Sequence, residues 1–270
     1  MKRSLLTITA FLFLAFFISL SQPFISRASA VTPKTALIYG DSLTWESSPD
    51  AKKLFDAKSG WTAYFHPFPA TAPCQWNNWL PQDLATYSPS VVSITTAGNA
   101  YSSAFPCMVD PNGNPLTIGS DAYYAKYTAD LNTFFATVTA TGAKVVFFKA
   151  PPMLDATRNA AVIKIANIAT QLAANYHGVS IAGNIRNALA KNGKYTAYKP
   201  CLTTESTQPD CVNGVIPIRT IVGSQTGLHL CPGGLPTVYP YFCPTYSSGE
   251  YRFAKALVNT TVNPPAPILP

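Results

Sequence analysis

Two periodicities of apolar and polar positions alternate along this chain. Short apolar or β-branched runs bounded by turn residues occur at 35–39, 61–65, 90–96, 144–149 and 178–182, and they predict five strands. Between them, 46–59, 75–87, 121–141 and 157–176 carry apolar residues at helical spacing, as in Tyr124, Tyr127, Leu131 and Phe135. Strands that alternate with helices of this length form βαβ units, so the expectation is an α/β fold with a parallel sheet covered on both faces. Beyond Gly193 the pattern dissolves into a long irregular stretch, and such a stretch inside one domain is either functional or covalently pinned. A last helix is predicted from Ser247 to Asn259, followed by a Pro-rich tail, Asn263 to Pro270, that reads as frayed.

The first thirty residues stand apart from this pattern. Lys2 and Arg3 precede an uncharged apolar stretch, Leu5 to Leu20, and Ala28-Ser29-Ala30 offers small residues at a cleavage site. The stretch is shorter than the roughly 20 residues that span a bilayer, so residues 1–30 are expected to be a cleaved signal peptide rather than an anchor. Residues 31–270 then form one domain, secreted or periplasmic, with no stable membrane attachment. The net charge of +7 loses Lys2, Arg3 and Arg27 with the signal. The surplus that remains has no basic run, which argues against a nucleic-acid partner.

Six cysteines, Cys74, Cys107, Cys201, Cys211, Cys231 and Cys243, all follow the signal. In an exported chain they read as three disulfides, for which fifteen pairings are possible. Nearness along the chain favours Cys201–Cys211 and Cys231–Cys243, and Cys74–Cys107 would tie the loops after the second and third strands. No Cys-x-x-Cys or His-x-x-x-His spacing is present, so a zinc site is not expected.

The candidate chemistry starts at Gly40-Asp41-Ser42-Leu43, where the first strand stops at a polar turn. Ser42 would lie at the carboxyl end of a parallel strand, where open α/β sheets hold their sites. Asp41 or Ser42 could equally serve only as a helix N-cap. Three further stretches line up with this one: Phe68-Pro-Ala-Thr-Ala-Pro-Cys74 after the second strand, Ala97-Gly98-Asn99-Ala100 after the third, and Gly227-Leu228-His229 before the last helix. Acyl transfer through a serine needs a nucleophile, a base and donors for the oxyanion, and loops after successive parallel strands converge on one edge. Of the three histidines, His66 adjoins Pro67 and His177 follows a helix, both places suited to structural roles. His229 alone lies in a Gly- and Pro-rich loop. Asn99 could instead be a turn residue bonded to its own backbone.

These four blocks resemble those of the SGNH (GDSL) hydrolase superfamily, over the span from Gly40 to about Gly234, and Thr71-Ala-Pro-Cys74, Gly98-Asn99 and Phe105-Pro-Cys-Met108 look like a secreted bacterial branch of it. The resemblance implies a three-layer α/β/α flavodoxin-like fold with a sheet of about five parallel strands. It implies Ser42 as nucleophile, His229 as general base, and the Ser42 amide, the Ala70 amide and the Asn99 side chain as oxyanion donors. Two positions depart from it. Ala70 stands where the second block usually has glycine, which leaves the amide in place provided the turn does not need positive φ. Thr226 stands where an aspartate usually precedes the histidine. A backbone carbonyl near Thr226, the Thr226 hydroxyl, or a distant acid such as Asp210 or Asp110 would then orient His229, and the carbonyl is the expected acceptor.

The reading is an exported, monomeric serine esterase without metal or organic cofactor, acting on a small-molecule or polysaccharide-linked acyl ester. An O-acetylesterase or O-acyltransferase on polysaccharide, or an inactive carbohydrate- or lipid-binding relative, are the alternatives. Gly-x-Ser-x-Gly is absent, which argues against the α/β-hydrolase elbow. Tyr239, Tyr241, Phe242 and Tyr246 either line a substrate pocket or pack in the core.

Overall fold

The computed structural model describes residues 33–104, 106–234 and 242–268. The signal segment, Phe105, Tyr239 and Tyr241 therefore lie outside the described residues. Five strands, β1 (Lys34–Gly40), β2 (Trp61–Pro67), β3 (Val91–Thr95), β4 (Lys144–Phe148) and β5 (Val179–Ala182), form one sheet in the order β2-β1-β3-β4-β5. Every pairing is parallel. This is the flavodoxin-like order, and its switch point, where the chain leaves β1 in opposite directions for β2 and β3, is where such sheets open a crevice.

Alternate residues of each strand feed two separate cores. Leu37, Tyr39, Val92, Ile94, Val145 and Phe147 face one cluster, under helices α2 (Pro73–Tyr87), α3 (Asp121–Thr139) and α4 (Ala156–Ala173). Ala36, Ile38, Val146 and Phe148 face the other, under α1 (Ser42–Asp56), the short α5 (Asn184–Ala188) and α6 (Ser248–Val262). Burial on both faces is what makes these strands read as continuous apolar runs rather than alternating ones. The three-layer α/β/α fold is the one the four blocks imply.

Three expectations are corrected. Helix α1 starts at Ser42 instead of residue 46, because the Asp41 side chain caps it by accepting the Leu43 amide at 3.2 Å. The helix even carries Pro49, and the Trp45 carbonyl, which that proline cannot serve, receives the Ser48 hydroxyl at 2.8 Å. The stretch beyond Gly193 is more ordered than its polarity suggested. The hairpin of β6 (Ala190–Lys191) and β7 (Lys194–Tyr195) is followed by β8 (Tyr198–Pro200) paired with β9 (Val215–Pro217). These ladders are too short to leave a periodic signal. The tail is not frayed as far as residue 268: the Ile268 amide donates to Val179 O at 3.2 Å and the Pro265 carbonyl accepts the Ser180 hydroxyl at 2.8 Å. The tail thereby covers β5, an outer strand whose open edge would otherwise be a liability.

All three disulfides form in the expected pairs, Cys74–Cys107, Cys201–Cys211 and Cys231–Cys243. Such bonds fit an oxidising compartment. Among the described residues no helix is long and apolar enough to cross a membrane.

Candidate active site

The site begins where β1 turns into α1. A side chain at Gly40 would run into the Thr44 side chain one turn up the helix, so only glycine lets the helix start this close to the strand. Ser42 is the first helical residue and is half-buried. Its amide belongs to the helix N-terminus, where main-chain N–H groups lack helical acceptors and the dipole favours negative charge.

Hydrogen bonds from the other loops converge on this corner. The Phe68 amide donates to Gly40 O at 3.0 Å, bringing in the loop after β2. The Ala97 amide donates to the second Asp41 carboxyl oxygen at 2.5 Å, bringing in the loop after β3. Asn99 Nδ2 then donates to Thr71 O at 3.0 Å, which joins those two loops to each other. Cys74–Cys107 locks the same pair covalently. Asp41 is thus both the N-cap foreseen as the plain alternative and the clasp between the first and third blocks. Burial pushes its carboxyl up to about 6, opposed by the Ala97 and Leu43 amides and reinforced by Glu46.

The condition of a turn without positive φ is not met: Ala70 adopts φ 62°, so alanine itself holds the left-handed conformation that glycine tolerates and alanine resists. Its methyl group is exposed and packs no core. Ala70→Gly should therefore raise stability by about 0.5–1 kcal/mol, the relief of a positive φ less the entropy glycine adds to the unfolded chain. Urea unfolding measures this, and a fall in the midpoint would show that the turn is unstrained.

His229 is buried, and its Nδ1 is hydrogen-bonded to Oε1 of Glu46. The other Glu46 oxygen accepts the Leu230 amide at 2.8 Å. Glu46 sits four residues after Ser42 on α1, one turn along the same face. This differs from every partner the sequence suggested for His229. Thr226 is exposed and its hydroxyl donates to Gly223 O at 2.7 Å. Asp110 closes its own turn by accepting the Asn112 and Asn114 amides, and Asp210 is exposed. A carboxylate displaces the expected main-chain acceptor because α1 begins early enough to carry Glu46 under the histidine.

The rest of the 219–231 loop is held tightly. Arg219 Nη2 donates to Gly227 O at 2.8 Å and Leu228 O at 3.2 Å, and the Thr220 amide donates to His229 O at 2.9 Å. Burial holds the Arg219 guanidinium down at about 10. The Ser247 hydroxyl donates to Leu230 O at 2.6 Å, and Cys231–Cys243 closes the loop. Beside that bridge, burial and then the nearby Glu46 push the Glu250 carboxyl up to about 9, which keeps it neutral at pH 7. Glu250 and the sulfurs of Cys231 and Cys243 lie together, but sulfurs joined to each other offer no thiolate to a metal.

Ser42, Ala70, Asn99 and His229 thus come from four loops tied to one corner of the sheet. The Ser42 hydroxyl itself has no hydrogen-bond partner among the described residues, so a Ser42–His229 bond is not formed. His66 is paired through Nδ1 with Asp83 at 2.5 Å and stacked between Tyr39 and Trp79, while His177 is exposed in the turn before β5. Phe242 stacks on Trp45 at 5.7 Å, and Tyr246 bonds the buried Glu205 at 3.4 Å, which separates the two described members of the aromatic group.

A flavodoxin-like sheet with these four blocks on the loops at its switch point is the arrangement that the resemblance to the SGNH (GDSL) hydrolases implies. The chain belongs to the family described as Protein of unknown function (DUF459), whose model matches residues 35–208, a span that contains Ser42, Glu46, Ala70 and Asn99 and ends before His229. No curated protein matches the sequence. Among solved structures, a protein of Slackia heliotrinireducens assigned to the SGNH hydrolases is similar, with 13% identity over 86% of this chain and 100% of its own and a TM-score of 0.48. A lipase/acylhydrolase from Enterococcus faecalis shares 15% identity over 58% of this chain and 78% of its own, TM-score 0.42. An acetylxylan esterase from Geobacillus stearothermophilus, as a catalytic mutant, shares 13% over 57% and 77%, TM-score 0.44.

Proposed function

We propose that the protein is an exported serine esterase, a carboxylic ester hydrolase that works through an acyl-enzyme. The observation that carries this reading is the Glu46–His229 pair one helical turn from Ser42. An imidazole held through Nδ1 by a carboxylate presents Nε2 as a base, the arrangement that activates a serine. On this reading Ser42 Oγ attacks the ester carbonyl while its proton passes to His229 Nε2, across a hydrogen bond that forms as substrate enters. The charge that develops on the carbonyl oxygen is met by the Ser42 and Ala70 amides and by Asn99 Nδ2. Collapse breaks the ester C–O bond, His229 returns the proton to the leaving alkoxide, and water then repeats the sequence to release the acid.

Glu46 also removes the motive for an inactive binding protein, since that alternative rested on Thr226 in place of an acid. Residues 1–30 serve, in the same proposal, as a signal removed during export, which accounts for the oxidised cysteines. A fluorophosphonate probe tests the chemistry: serine oxygen displaces fluoride at phosphorus and leaves a stable adduct. One probe per chain on the peptide that contains Ser42 is the expected result. Absence of an adduct, or an adduct on another residue, would end the serine-esterase reading.

A further inference from the structure

Arg219 is fully buried, yet it makes no ion pair among the described residues. Its Nη2 reaches Met153 Sδ at 3.2 Å besides the carbonyls of Gly227 and Leu228. Nε and Nη1 have no hydrogen-bond partner among the described residues, and the guanidinium carbon lies 5.8 Å from the centre of the Tyr195 ring. A buried cation with two of its three nitrogens unbonded costs stability. Bonding two carbonyls needs only a neutral donor, so those hydrogen bonds alone do not account for the charge. Its surroundings do. Arg219 holds the carbonyls of residues 227 and 228, while Glu46 holds Nδ1 of residue 229 and the amide of residue 230. Four successive residues around the histidine are thus gripped by a cation through their carbonyls and by an anion through their N–H groups. Of the carboxylates, Glu46 is the one whose charge acts on the guanidinium.

We propose that Arg219 is a positioning residue whose buried positive charge, set against Glu46 across the histidine loop, keeps the His229 imidazole neutral and so able to accept a proton. The proposal rests on the esterase reading only for the step that His229 serves. A carboxylate on Nδ1 selects the right tautomer, but it also favours the imidazolium, which cannot take the proton of Ser42. A cation buried in the same region of low dielectric opposes that second proton and leaves the first where Glu46 holds it. Burial lowers the guanidinium only to about 10, so it stays cationic over the range in which histidines titrate. Burial pushes the Tyr195 phenol up, and it adds no charge there. The other acids around the pair are Asp41 on the β1–α1 turn and Glu250 on α6, with Asp50 of α1 beside Glu250. Burial pushes Asp41 up to about 6 and Glu250 up to about 9. Asp41 therefore titrates near histidine, and the ring itself has to be observed.

The experiment follows the His229 ring by NMR through a pH titration, its signals assigned by their loss in His229→Gln. Arg219→Gln and Arg219→Met remove the charge, the first keeping a donor for one carbonyl, and Arg219→Lys keeps the charge without the planar fork. Circular dichroism checks each fold, and one folded neutral variant suffices. The neutral variants are expected to raise the pH at which the ring gains its proton by about half a unit or more, and Arg219→Lys by less than about 0.2. On a nitrophenyl ester the neutral variants then lose about threefold more kcat/KM at about pH 5.5 than at about pH 8, and Arg219→Lys restores the profile. A loop merely held in place by hydrogen bonds moves neither the ring titration nor the profile. The proposal is overturned if the neutral variants titrate as the wild type does, or if Arg219→Lys shifts as far as they do. The two readings fail separately. A protein inert toward esters whose ring titration follows the charge at position 219 keeps the electrostatic coupling and loses the esterase. One that hydrolyses esters with a ring indifferent to that charge does the reverse.

Discussion

Glu46→Gln is expected to lower kcat/KM for a nitrophenyl ester by about ten-thousand-fold, with the fold intact by circular dichroism. The size follows from triad proteases, in which an amide in place of the acid costs about that much by stabilising the wrong histidine tautomer. The reason here is specific to the geometry. Glu46 accepts two N–H groups, one from His229 Nδ1 and one from the Leu230 main chain. Glutamine has one oxygen and one NH2, and the Leu230 amide can only donate, so it claims the oxygen. The NH2 then faces Nδ1 and donates to it, which moves the ring proton to Nε2, the atom that must take the proton of Ser42. Histidine NMR reads the tautomer directly. Thr226→Ala, Asp210→Asn and Asp110→Asn should each lose less than about tenfold, because none of these side chains reaches the ring. A loss below tenfold in Glu46→Gln would return the role to a main-chain acceptor.

Ser42→Ala should lose about a million-fold in kcat, as should His229→Ala, and the double variant should lose no more than either alone. Groups that act as one unit show this non-additivity, since neither has value without the other. On the esterase reading, what survives is the oxyanion contribution of the main-chain amides at positions 42 and 70 and of Asn99, which remain in place and keep the residual rate above that of water. Rates measured on one ester with single and double variants decide it. A double variant much slower than both singles would mean that His229 serves a step in which Ser42 takes no part.

Most of the sheet could be read from the chain because its strands are buried on both faces and separated by helices of ordinary length. The loops bearing Ser42, Ala70 and Asn99 were placed by the rule that parallel strands deliver their loops to one edge. The acid was not found, and the cause is local. With α1 expected to start at residue 46, Glu46 is only the first residue of a helix that Ser42 does not share. Once the Asp41 cap moves the start to Ser42, the same glutamate falls at i+4 from the serine, and its role becomes visible. The small ladders between Ala190 and Pro217 gave no signal because two or three residues cannot establish a period. The docking of the tail on β5 depends on an open edge that only the folded sheet presents.

The pairing of Glu46 with His229 has a consequence for the order in which the protein acquires activity. On the esterase reading, nucleophile and acid lie within one helical turn of the first βα unit, while the histidine that joins them is 183 residues beyond Glu46. Closing so long a loop is slow compared with forming the local helix. On refolding, the α1 turn, made of local contacts, forms ahead of the docking of the 219–231 segment. Every molecule therefore passes through a stage with the serine in place and no base to activate it. Hydrolysis is then among the last properties to return on refolding, after helical circular dichroism, and the delay between the two signals times the docking of the histidine loop on α1.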